Sequence, residues 1–215
     1  MNCVENMTLE IWAAFAVASV VLVLIPGPTI LTVVSYSISH GKKANIPLVA
    51  AVALGDSTAL ILSILGLGAV LSTSAWLFNV IKWAGGLYLI YLGIRLLLTR
   101  TTAMATDNPA KMPDSRWKLF GNTWLVTALN PKGIVFFVAF LPQFINPSVS
   151  TGPQLWILSI TFVLIATINA ALYAVFATSA RRILSSPKTQ CRFNIGGGSL
   201  LTIAGVWALT ARQPT

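Results

Sequence analysis

Apolar residues run along this chain in long blocks, each closed by a short polar or basic break. A bilayer core of about 30 Å takes about 20 apolar residues per helix. With that ruler the blocks predict six transmembrane helices, near 9–39, 46–71, 75–98, 119–144, 155–179 and 194–211. The uncharged run from Gly133 to Ala180 divides at "NPSVSTGPQ" (146–154), where Pro, Gly, Ser and Asn favour a turn. The polar stretch 99–118 is the one sizeable loop, and it separates a first half (9–98) from a second (119–211). Residues 1–215 then read as a single all-α transmembrane domain.

The first block is too long for one span. As a single helix, residues 9–39 would measure about 46 Å at 1.5 Å per residue. Near its middle lies "LVLIPGPTILTVVSYS" (22–37), where Pro26 and Pro28 each delete a helical hydrogen bond and Gly27 has few backbone preferences. The fourth block has its midpoint between Pro131 and Lys132, in "NPK" (130–132). The pattern therefore predicts helices 1 and 4 broken at mid-membrane. An unsatisfied backbone group facing lipid there costs several kcal/mol, so such breaks belong against protein or a watery cavity. Pro28 suits the first position of a new half-helix. The amides of Thr29, Ile30 and Leu31 would then point into the cavity, a positive helix end that attracts carboxylate. A simple proline kink is the alternative for one break; two at matched depths argue against it.

The two halves echo each other. "GGLYLIYLG" (85–93) and "GGSLLTIAG" (197–205) share a Gly-Gly and a third glycine at the same spacing, 112 residues apart. The break at Pro26 corresponds to that at Asn130–Lys132. Three spans separate each element from its copy, so the halves would point in opposite directions, as the inverted three-helix repeats of many secondary transporters do. The glycines themselves read as helix-packing positions.

Few polar groups share the depth of the breaks. Asp56 in "VALGDSTALILS" is the only carboxylate inside a span, Asn169 is its rough counterpart in the fifth, and Lys132 is the only intramembrane cation. A charge buried there costs about 2.5–3.5 kcal/mol, so it is paired, solvated or neutralised. Asp56 can take up a proton or a substrate ammonium, and Lys132 can hold a carboxylate. Alternatively the two neutralise each other as a fixed ion pair.

Composition excludes other settings. The 215 residues are 56% hydrophobic and 9% charged, with mean hydropathy +0.80, too few charges to cover a water-facing globule. The net charge of +9 does not point to nucleic acid, because the basic residues sit in short connections between apolar blocks. With the N-terminus outside, eleven of the fourteen Lys and Arg fall in cytoplasmic connections, and the positive-inside rule places both termini on the outer side. The N-terminal "MNCVENMTLEIW" lacks the basic region of a signal peptide. Cys3 and Cys191 then lie on opposite sides of the membrane and cannot pair.

Enzyme chemistry lacks its residues. The sole histidine, His40, ends a span beside Gly41 and Lys42, and no His-x-x-x-His, Cys-x-x-Cys or paired-Asp pattern occurs. No metal and no cofactor is expected. An exporter of an inorganic ion, or a membrane assembly factor without transport, are the alternatives to small-molecule transport.

Several stretches resemble the LysE-type amino-acid exporters, in particular their homoserine/threonine-exporter branch of small bacterial inner-membrane proteins. They are "PGPT" (26–29), Gly41 followed by Lys42 and Lys43, "ALGD" (53–56), "KWAGGLYLIYLGIRLL" (82–97) and "NPKGIVFFVAFLPQF" (130–144). The resemblance implies a secondary transporter that exports amino acids or close relatives from the cytoplasm across the inner membrane, driven by protons; the two halves then suggest alternating access around a site between them. It carries Pro26, Gly27, Pro28, Asp56, Asn130, Pro131 and Lys132 over as motif positions. Where the family usually has Asn or Asp after "PGP", this chain has Thr29, which bears on substrate preference. Thr29, Ile30 and Asn169 complete the expected substrate site, with Asp56 for proton coupling. One intramembrane acid favours neutral over cationic amino acids. Amino acid, protons and lipid are the expected partners, and a homo-oligomer is left open.

Overall fold

The computed structural model describes residues 7–73, 75–98, 115–146, 149–180 and 186–210, and every element among them is helical. The helices are α1 (Leu9–Leu24), α2 (Pro28–His40), α3 (Asn45–Thr73), α4 (Ala75–Leu98), α5 (Arg116–Ala128), α6 (Pro131–Val135), α7 (Thr151–Val175) and α8 (Pro187–Thr210). A 3-10 turn, Gly41–Ala44, joins α2 to α3. Three helical stretches are long and apolar enough to cross a membrane, Pro28–Gly66, Arg116–Phe144 and Thr151–Val175, with shorter apolar helices at Leu9–Leu24 and Trp83–Leu98. The protein is an all-α membrane protein.

Both expected interruptions are present. The chain leaves α1 at Ile25 (φ −71°, ψ 114°) and runs extended to Gly27, whose carbonyl starts α2 with Pro28 in its first turn. In the second half, α5 stops at Leu129, Asn130 is extended, and Pro131 opens α6. Proline explains both restarts: its fixed φ suits a first turn, and it has no amide to leave unbonded there. Beyond α6 the helix loosens into a π turn at Phe136–Phe140 and a 3-10 turn at Leu141–Phe144. No residue pattern announced that π turn.

Several boundaries differ from expectation, among them the end of the fifth span, where α7 stops at Val175 and not at 179. Helix α7 begins at Thr151, absorbing the end of the expected 146–154 turn, because Pro153 is tolerated in a first turn. Helix α8 begins at Pro187, seven residues before the expected start at 194, again on a proline. Residues 116–118 are already helical, with Ser115 as the N-cap residue; residues 99–114 of the expected loop, with Arg100 and Lys111, lie outside the described residues. So do Cys3, Arg181, Arg182 and Arg212.

Packing follows small residues. Helices α4 and α8 make the most extensive contact, and glycines let their backbones approach closely. A methyl group at Gly93 would lie 2.6 Å from the Gly198 carbonyl, and one at Gly205 would lie 2.7 Å from that of Gly86. The two echoing glycine stretches are thus each other's partners, running antiparallel. Helix α3 packs on α5 with similar closeness, since a methyl at Gly55 would stand 2.6 Å from Thr127 Cβ. Helix α7 packs on α3, α1 and α2. Between α1, α7 and the π turn sits the main core, where Phe15, Phe136, Phe140, Phe144 and Phe162 pack with ring centroids 5.0–5.9 Å apart. Outward faces carry exposed Leu, Ile and Val, and Trp76, Trp83, Trp117 and Trp156 are all more than half exposed. A larger apolar groove of about 450 Å³ between α3 and α7 opens on that surface and has no charged lining.

Candidate functional site

The last carbonyls of a helix have no partner within it, and at the end of α1 they lie inside the protein. Four of them are met from far along the chain. Lys132 Nζ donates to Leu22 O (2.9 Å) and Ile25 O (2.7 Å), Asn169 Nδ2 donates to Val23 O (3.0 Å), and Tyr173 Oη donates to Leu24 O (3.2 Å). A cation at this negative helix end is favourable by about 0.3–2 kcal/mol. Helix α7 supplies its donors from one face, because Phe162, Ala166, Asn169 and Tyr173 fall at helical spacing.

The start of α2 is different. No side chain caps it, and Thr29 and Ile30 are buried with their first-turn amides unclaimed by the helix. Leu31 departs from expectation: its amide donates to Gly27 O at 3.0 Å, as the fourth residue of any helix does, so the free amides are those of Thr29 and Ile30. The start of α6 is closed. There Lys132 N donates to Asn130 Oδ1 (3.1 Å), and Gly133 N and Ile134 N both donate to Asn130 O. Asn130 Nδ2 in turn donates to Thr29 Oγ1 at 3.2 Å, joining the two interruptions directly.

A cavity of about 40 Å³ lies where these groups meet, lined among others by Gly27, Thr29, Ile30, Asn130, Lys132 and Asn169. Asp56 faces it from α3, one turn beyond Val52, which also lines it. Asp56 and Lys132 bring one carboxylate and one ammonium to the lining of the same cavity. Seven of the ten residues singled out from sequence therefore line one space. Pro26, Pro28 and Pro131 are not part of the lining; they shape the breaks. Sequence reading missed Leu22, Val23, Val52, Gly133, Phe162 and Ala166 in the lining. Helical spacing from Asp56 and Asn169 would have found Val52, Phe162 and Ala166. The space holds a few waters and not a whole amino acid.

Chemically the cavity offers separated charges: a positive helix start at α2, a carboxylate on α3, and carbonyls plus an ammonium at the end of α1. Among the described residues no group of three or more His, Cys, Asp or Glu side chains is placed to hold a metal ion.

A family model described as LysE type translocator matches residues 20–212. A Vibrio cholerae protein described as an uncharacterized membrane protein is 32% identical over 206 residues, covering 96% of this chain and all of the relative. Homoserine/homoserine lactone efflux proteins of Salmonella typhimurium and Salmonella typhi are 32% and 33% identical over 207 residues, again across 96% of this chain and their whole length. No solved structure matches.

Proposed function

Because the chain belongs to the LysE-type translocator family, a family of membrane transporters and not enzymes, we propose that it exports neutral amino acids or close derivatives from the cytoplasm, coupled to protons, by alternating access. Homoserine and its lactone are the first compounds to try, since relatives are named for their efflux. The observation that carries the reading is the meeting of both helix interruptions and Asp56 around one polar cavity. In this reading the substrate carboxylate lies at the α2 start beside Thr29 and Asn130. Its ammonium lies towards Asp56 and the end of α1. Pro26, Gly27, Pro28 and Pro131 set the interruptions, and Ile30 and Asn169 close the pocket wall.

Six spans in two inverted repeats fit the exchange of contacts between the halves. Helix α4 lies against the π turn of the second half, while α8 lies against α1 of the first. Likewise α3 lies on α5, while α7 lies on α1 and α2. Rocking one half against the other would open the cavity to each side in turn. Asp56 changes protonation during that cycle. One charge moved across 100 mV supplies about 2.3 kcal/mol, roughly a fiftyfold gradient.

The test is flux of labelled homoserine, threonine, leucine and lysine in proteoliposomes with and without an imposed pH gradient. Uphill movement of a neutral amino acid that collapses with the gradient is expected. Asp56→Asn should retain downhill flux and lose uphill flux; uphill export by this variant would remove Asp56 from coupling.

A further inference from the structure

Every donor that meets the end of α1 comes from the second half of the chain, and only one is charged. Asn169 and Tyr173 supply neutral donors to Val23 O and Leu24 O. Lys132 supplies a primary ammonium to Leu22 O and Ile25 O. A primary ammonium is also what an amino acid carries. We propose that Leu22 O and Ile25 O, with the Asp56 carboxylate across the cavity, form an ammonium seat that Lys132 fills in this structure, and that the substrate's amino group displaces Lys132 from it. The inference rests on the amino-acid reading above and deepens it.

Geometry makes the seat selective. Carbonyl oxygens 2.7 and 2.9 Å from a nitrogen can only accept, and they lie at the negative end of a helix. An anion finds no donor there. Any small group bearing N–H donors and positive charge can replace the one already present.

Charge then forces an exchange. The cavity of about 40 Å³ is lined by one carboxylate, Asp56, and one ammonium, Lys132. A second ammonium added beside the first would set two cations against one anion in a poorly screened interior, where repulsion over a few ångströms is strong. Displacement avoids this. The incoming ammonium takes the two carbonyls, and Lys132 turns to the incoming carboxylate at the α2 start. The journey is short: the ammonium already lies where a Gly27 side chain would meet it at 3.5 Å. A lysine stem is flexible enough to make the turn. Net charge is the same before and after, and both carbonyls keep an N–H donor.

The exchange also has a mechanical result. Lys132 belongs to α6 and its two acceptors to the end of α1, so its hydrogen bonds tie the interrupted helices together. A ligand with an amino group unties them, and an acid without one leaves them tied. Substrate binding would thereby release the halves to move.

The test uses wild type, Lys132→Ala and the bulkier Lys132→Met, purified in detergent and titrated calorimetrically. The probes are homoserine, 3-amino-1-propanol, which lacks the carboxylate, and 4-hydroxybutanoate, which lacks the amino group. With the tethered competitor gone, 3-amino-1-propanol is expected to bind at least tenfold tighter to either variant than to wild type, with no such gain for 4-hydroxybutanoate. Equal amine affinity in wild type and in whichever variant folds would overturn the seat. Wild-type flux is measured in parallel. Homoserine flux without the amine gain defeats the seat alone. No flux of any neutral amino acid defeats the exporter reading, and the amine titration still decides the seat.

Discussion

Lys132 shows how far a residue can be read without its surroundings. Its identity as the lone intramembrane cation was legible, and so was its neighbourhood with Asp56. Its attachment to Leu22 O and Ile25 O was not, because those acceptors lie 110 and 107 residues away and become available only once α1 has ended. The same holds for Asn169, whose partner is Val23 O. Asn169→Leu keeps most of the side-chain volume and leaves that buried carbonyl without its donor. The expected loss is about 1 kcal/mol, visible as a lower denaturation temperature in detergent. An unchanged temperature would mean that Val23 O is satisfied some other way. Leu31 went the opposite way: local helix geometry, available from sequence, already assigns its amide to Gly27 O.

At the scale of helices, proline and glycine carried most of the legible information. Both interruptions, and the restart of each helix on a proline, follow from the backbone rules of those two residues alone. The π turn at Phe136–Phe140 does not, since Phe, Val and Ala impose no such geometry; it comes with the crowding of aromatic rings around Phe15 and Phe162. The glycine echo between α4 and α8 was legible as packing, and the structure adds that its two copies meet. Gly93→Ala is therefore expected to destabilise by about 1–3 kcal/mol, because its methyl would meet the Gly198 carbonyl and the Thr202 amide, 2.6 and 2.7 Å away. Gly66→Ala, with open space at that position, is the control. It should be neutral or mildly stabilising by up to about 1 kcal/mol. Thermal denaturation of the two variants side by side separates these outcomes.

For the molecule as a whole, orientation is the expectation that reaches furthest. With both termini outside, the exposed thiol of Cys191, near the start of α8, faces the cytoplasm. In a Cys3→Ser background a membrane-impermeant maleimide should leave intact cells unlabelled and react after permeabilisation, while an N-terminal epitope tag is detected without it. Labelling of intact cells would invert the topology. The contact between α4 and α8 bears on how such a molecule could work. At Gly86, Gly93, Gly198 and Gly205 the two helices lie so close that an added methyl would come within 2.7 Å of the other helix, and sliding by even one residue would bring bulky neighbours into those gaps. On the alternating-access reading proposed above, that seam is the natural fulcrum, about which the two halves would rock while the broken helices open and close.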